Sequence, residues 1–522
     1  MALAAITAGA SSASAQTFVS TNITTDTTWG LAGSPYILQG PIFVKDGAIL
    51  TIDPGVVVRG QPRNNPQRPG SLVVTRNGQI DAEGTASAPI IFTTAAVDVN
   101  DDGVADGGED GAQDQFTRFT GTEAFLDASP ATTRLDPLND EGYANLSLWG
   151  GVVVLGNATI NRNEPGSTLN AGEAYIEGID PQSGDGVFGG NDDADNSGII
   201  KYVSIRHAGD EIDEANELNG LTLAGVGSGT TVDYVDIYCN FDDGVEIFGG
   251  AVNPKHLSLT YIGDDALDID QGYHGDVQFV FVVMTNFTQS DGTHYGSKSG
   301  DKACEWDGDD WDEGSTVQEK WEYLVVDGND KPDPFSRARV FNMTVVGSSS
   351  ANKGQIHMRH GFSGWLANSI VVNTGTKNPL YVQTDSSRNG EIGYDVADNE
   401  AAADLSTWAG LGAGSIIFSD VPPTFPVSGS LEEAVLLNGG NNYFNPTGFS
   451  LRGEDQSYTG NLTLNPRPNA STYMVNLIPV PSGLTTVAYR GAFPVNTLLS
   501  LWTTGWTAIN KPNADGQKPL VD

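Results

Sequence analysis

Between Thr231 and Gly275 the sequence nearly repeats itself, and that repeat limits what the chain can fold into. Val232-Asp233-Tyr234-Val235-Asp236-Ile237 leads to Asn240-Phe241-Asp242-Asp243-Gly244-Val245-Glu246-Ile247. Then His256-Leu257-Ser258-Leu259-Thr260-Tyr261 leads to Gly263-Asp264-Asp265-Ala266-Leu267-Asp268-Ile269. Asp243 and Asp265 stand 22 residues apart, as do Ile247 and Ile269. Each unit holds two short alternating strands joined by an Asp- and Gly-rich turn. A unit of that length cannot bury its own apolar face, so units must stack. The pattern predicts an all-β chain, a single parallel β-helix with one coil per repeat and about 4.8 Å between equivalent residues on successive coils. The usual chirality of parallel crossovers makes it right-handed.

The rest of the chain extends this reading. Strand-turn-strand text runs from Phe18 to Thr94, with turn chemistry at Asp53-Pro54-Gly55 and Asn77-Gly78. Polar excursions interrupt it near 95–143, 178–198 and 285–320; a loop as long as the first is usually functional or structured by something other than apolar packing. Coils return at Glu322–Val326, Ala338–Val346 and Ser369–Val372; only Asn399–Trp408 and Leu431–Leu437 suggest short helices. The expected organisation is a leader at 1–15, a solenoid of roughly 12 to 15 coils over 16–476, and an apolar tail, 477–522, covering its open end.

Charge sets the compartment and the partners. With 66 acidic against 26 basic residues the formal charge is −40, which argues against nucleic acid and an anionic membrane as partners. Such a surface repels itself unless salt screens it or divalent cations bridge it. Ala2–Ala15 is apolar and small, and Ser12-Ala13-Ser14-Ala15 before Gln16 reads as a leader cleavage site, so the protein is expected outside the cell or at its surface. No later apolar run is long enough to span a membrane. Cys239 and Cys304 make either one disulfide or two buried thiols.

Two constellations can carry chemistry. Asp98-Val99-Asn100-Asp101-Asp102-Gly103-Val104-Ala105-Asp106-Gly107-Gly108-Glu109 fits a calcium loop, D-x-[DN]-x-[DN]-G-x5-E. Read as a calcium loop, its ligands are Asp98, Asn100, Asp102, the Val104 carbonyl, Asp106 and Glu109, a set that suits Ca²⁺; the alternative is a solvated acidic turn. The second is the Asp242, Asp243, Asp264 and Asp265 pairs, which stacking brings together with Glu246 and Asp268. Those carboxylates form a second cation site, an acid/base cluster of the glycosidase type, or turn caps. Glu305-Trp306-Asp307-Gly308-Asp309-Asp310-Trp311-Asp312-Glu313, with Trp321 nearby, offers either aromatic faces beside carboxylates for sugars or cations or a loop anchored on the solenoid flank by its tryptophans. His357-Met358-Arg359-His360 is the one clustered basic patch.

These motifs carry two resemblances. Asn240-Phe241-Asp242, Gly263-Asp264-Asp265 and Gly272-Tyr273-His274-Gly275 resemble the Asn-Thr-Asp, paired-Asp and Gly-His-Gly motifs of polygalacturonases, which share the fold of pectate lyases. Here the histidine follows Asp265 by only nine residues and no Arg-Ile-Lys follows. More of the chain resembles a group of uncharacterised secreted bacterial β-helix proteins. That likeness lies in Asn219–Leu223, Asn240–Gly250, Gly263–Asp268, Tyr489–Phe493 and Trp502–Trp506, and implies an exported protein without an assigned reaction. Two functions are therefore expected. One is a calcium-stabilised extracellular structural protein, a surface-layer, filament or matrix subunit whose partners are its own copies or other surface components. The other is a polysaccharide-active hydrolase or lyase using Asp242, Asp243, Asp264 or Asp265 with His274 or Arg359.

Overall fold

The strands stack in parallel, as the repeat predicts. The computed structural model describes residues 16–520 apart from 100–104, 108–114, 139–144, 163–166, 180–182, 214–215, 285–301, 309–335, 349–354, 360–361, 363, 383–414, 421, 424–440, 454–463 and 470. The segments expected to be helical, and the coil expected at 322–326, lie outside the described residues. One sheet has sixteen strands, twelve of them along a single path from Thr17–Val19 to Tyr443–Phe444; a second has nine. Val235 pairs with Leu257 in the first sheet and Ile247 with Ile269 in the second, so the 22-residue spacing is one coil.

Alternation decides which side chains face in. Val235, Ile237, Leu257, Leu259, Val280 and Val282 from the large sheet meet Val245, Ile247, Leu267, Ile269, Cys304 and Trp306 from the small one. Each such aliphatic side chain contributes about 1.5–3 kcal/mol on burial. Trp306 is therefore a core residue rather than a sugar platform. The two cysteines are buried free thiols, Cys304 inside the solenoid and Cys239 outside the large sheet.

The long strands of the large sheet bend at one column of left-handed residues. Tyr202, Tyr234, His256, Phe279 and Asn342 occupy equivalent rungs with φ of 49°, 56°, 53°, 63° and 57°. Bulky residues are strained there by roughly 1–2 kcal/mol. Stacking offsets the strain: ring centroids are 4.4 Å apart for Tyr202–Tyr234, 4.1 Å for Tyr234–His256 and 4.8 Å for His256–Phe279.

The tail, expected as an end cap, packs along the side of the stack in its described residues. Residues 478–513 run along its flank, because that face carries apolar and amide side chains which need a cover. Phe493, Leu501, Ala508 and Ile509 join Tyr238, Phe281, Val283 and Ile370 in a second apolar cluster. Trp502 and Trp506 set their edges against the aromatic column. The Gln278 amide donates to the Thr485 carbonyl and accepts from the Thr485 N–H, both at 2.7 Å. We expect Gln278→Ala to lower stability by about 1–2 kcal/mol, since it strands both main-chain groups; urea denaturation measures it.

Candidate metal centre

On the outer face of the small sheet, parallel register turns short motifs into a ladder. Thr222, Glu246, Asp268, Glu305, His357 and Tyr381 occupy one column on successive coils. The turns leading into these strands bring Asp242, Asp243 and Asp264 alongside. Carboxylate oxygens of Asp242, Asp243 and Asp264 lie within 4.8 Å of one another, and so do those of Asp243, Glu246 and Asp268. Asp243 belongs to both triads. Either can hold a metal ion.

Burial makes this arrangement costly without a counter-charge. Asp242, Asp243 and Glu246 are buried. Loss of water pushes the Asp243 carboxyl well above its usual range, and the charges of Asp242 and Asp268 add to that. Glu246 is raised by burial and then by Glu177 and Asp268. Asp268 rises for the same reason, burial first and then the charges of Asp307 and Glu305. Like charges this close stay ionised only around a cation; otherwise some carry protons. Backbone and amide groups hold the oxygens in place: the Asp265 N–H donates to Asp243 at 3.0 Å, and the Asn219 side-chain amide donates to Glu246.

The next coils supply cations, and the charge of one of them, Arg359, acts on Asp268 as well as on Asp307 and Glu305. Lys302 Nζ lies 3.3 Å from both Asp265 and Glu305. His357 Nδ1 lies 2.8 Å from Glu305. Arg359 forks onto Asp307 at 2.6 and 2.8 Å and reaches Glu305 at 3.0 Å. Burial alone would raise the Glu305 carboxyl; the His357 hydrogen bond and the Lys302 and Arg359 charges outweigh it and bring it down to about 2.

Not every expected residue gathers here. Asp242, Asp243, Asp264 and Asp265 come together, whereas Arg359 lies two coils on and bonds Asp307 and Glu305. His274 does not: it follows the strand Asp265–Asp270 at its far end, where its Nε2 lies 3.2 Å from Asp193 in the second acidic excursion. That separates the polygalacturonase-like histidine from the aspartates. Of the calcium loop, Asn100, Asp102, Val104 and Glu109 lie outside the described residues. Asp106 accepts the Val99 N–H at 2.6 Å. The contributions of Glu246, Asp268, Glu305, Lys302 and His357 to one ladder depend on register across excursions of unequal length, with offsets of 37 residues from Asp268 to Glu305 and 52 from Glu305 to His357. The shared alternation of Glu305-Trp306-Asp307 and His357-Met358-Arg359 is the signal that pairs them.

Fold and site together define a parallel β-helix with an acidic, metal-competent ladder on one outer face. The chain belongs to the family of the pectate-lyase-like β-helix domain, whose model matches residues 21–107 and 140–406. Comparison with the curated proteins and with the solved structures gives no match. Among the described residues no helix is long and apolar enough to cross a membrane.

Proposed function

We propose that this protein is a calcium-stabilised structural component that works outside the cell, a surface-layer, filament or matrix subunit built into assemblies of its own copies or with other surface components. The observation that carries the reading is the pair of carboxylate triads sharing Asp243, largely buried, with their oxygens close enough to hold one ion. Several hard oxygens in one cluster suit Ca²⁺. The Asp98–Glu109 loop is a second calcium site in this account, and the charge of −40 makes divalent bridging between copies favourable. The leader-like 1–15 segment supports export. Sedimentation with calcium and then with chelator tests it: ordered assemblies that dissolve on chelation are expected, and a monomer indifferent to both contradicts it.

One observation favours a second reading, a polysaccharide-active hydrolase or lyase. Asp268 and Glu305 are register partners whose carboxyls are pushed in opposite directions, one up and one down to about 2. Such a split separates a general acid from an ionised partner. A polysaccharide degradation screen decides it, with Asp268→Asn as control: product release that Asp268→Asn abolishes supports the enzyme, and no release from any substrate removes it.

A further inference from the structure

The flank that receives the tail recognises main chain rather than side chains. Gln278 holds both the N–H and the carbonyl of Thr485. Asn368 does the same for Ile478, at 2.9 and 2.8 Å. Asn342 donates to the Tyr489 carbonyl at 3.0 Å and accepts from Gln278 at 3.0 Å, and Lys255 donates to the Gly483 carbonyl at 2.7 Å. Gln278, Asn342 and Asn368 are buried, whereas the Thr485 side chain is exposed. Buried amides need these main-chain partners, and an extended segment from any source of the right shape supplies them. Beyond it, Phe493, Trp502 and Trp506 fit the apolar part of the flank, which selects this chain's own tail.

We propose that this flank is also an interface between copies: the C-terminal segment of one copy docks in the groove of another, linking subunits by tail exchange. This deepens the assembly reading and rests on it. Exchange in trans remakes the contacts between tail and flank and changes only those of the 471–476 connection, so its cost is low. The closed form also leaves apolar surface uncovered in the tail and just before it. Of the six large hydrophobic residues exposed among the described ones, three are Val475 at 48 %, Leu498 at 91 % and Leu499 at 55 %. They flank the docked stretches, Val475 just before Ile478 and the leucines between Phe493 and Trp502. Exposed residues 471, 472, 475 and 476 join the tail to the coils and supply the crossing point.

A disulfide separates exchange from closure. The full chain carrying Gln278→Cys and Thr485→Cys is oxidised either as dilute monomer or after assembly. Assemblies oxidised after formation are expected to give covalent multimers with a 278–485 bond between chains, found by non-reducing gel and peptide mapping. Chains locked while monomeric should assemble about tenfold more slowly or worse, because the tail can no longer leave. Thr344→Cys with Ala492→Cys, which join at a second contact of the same docking, repeats the test if the first pair folds poorly. Assemblies that form normally from locked chains, or that yield only bonds within a chain, overturn tail exchange and leave the structural reading standing. The absence of assemblies under any condition overturns both.

Discussion

In chelator, the unfolding free energy falls as the pH rises above about 4, and calcium abolishes most of that fall. The sign follows from the carboxyls around Asp243. Asp243, Glu246 and Asp268 have folded-state pKa values raised above their unfolded ones, which lie near 3.9 for Asp and 4.3 for Glu. The folded state therefore binds more protons than the unfolded chain through that window. The stability these groups provide is fully present below pH of about 4 and is lost as each raised pKa is passed. A single group tilts stability by at most about 1.4 kcal/mol per pH unit. Asp268 is partly open to solvent and contributes less than Asp243 or Glu246. A cation among the oxygens replaces the protons and removes the slope, adding about 2.7 kcal/mol when calcium is a hundredfold above its dissociation constant. Asp243→Asn should raise stability in chelator above neutral pH and remove most of the calcium response. Guanidinium denaturation at several pH values, with and without calcium, checks both.

Arg359→Met is expected to be the most damaging substitution on the ladder. The guanidinium compensates Asp307 and Glu305 together, and both carboxylates are buried. Removing one partner of a buried pair leaves an uncompensated charge, which costs about 3–5 kcal/mol where both are fully enclosed. Arg359 keeps 27 % of its side-chain surface exposed, so about 2–4 kcal/mol is expected here. Calcium should recover part of the loss, because the variant extends the acidic cluster by two carboxylates. Calorimetric unfolding of the variant, with calcium and with chelator, reads both effects. Equal loss in both media would mean that the cation does not reach this end of the ladder.

The sequence displays the solenoid because its register is written locally. The spacing of Val235 and Leu257, or of Ile247 and Ile269, equals one coil, and alternation already says which residues face inward. The Asp pairs are legible for the same reason: with nothing inserted between the coils, stacking follows from counting. What the sequence hides depends on longer range. Glu305 and His357 meet Asp268 only because excursions of different lengths return to the same register. Positive φ at Tyr202, Tyr234, His256 and Phe279 runs against the preference of aromatic residues and is tolerated because the rings stack on one another and on the tail. The tail itself reads as apolar, which suits an end cap as well as a flank strap; only the buried amides of Gln278, Asn342 and Asn368 distinguish the two, and their burial is a tertiary fact. Trp306 misleads in the same way, since an aromatic flanked by Glu305 and Asp307 suggests a surface platform until the strand period turns it inward.

The account stands on the cation at Asp243. Calorimetric titration of Ca²⁺ into the native chain, Asp243→Asn and Glu109→Gln measures it directly. The account predicts that Asp243→Asn loses the ladder site and its gain in unfolding temperature, while Glu109→Gln loses only the loop site and keeps the ladder response. Calcium binding and stabilisation by Asp243→Asn equal to those of the native chain would contradict it.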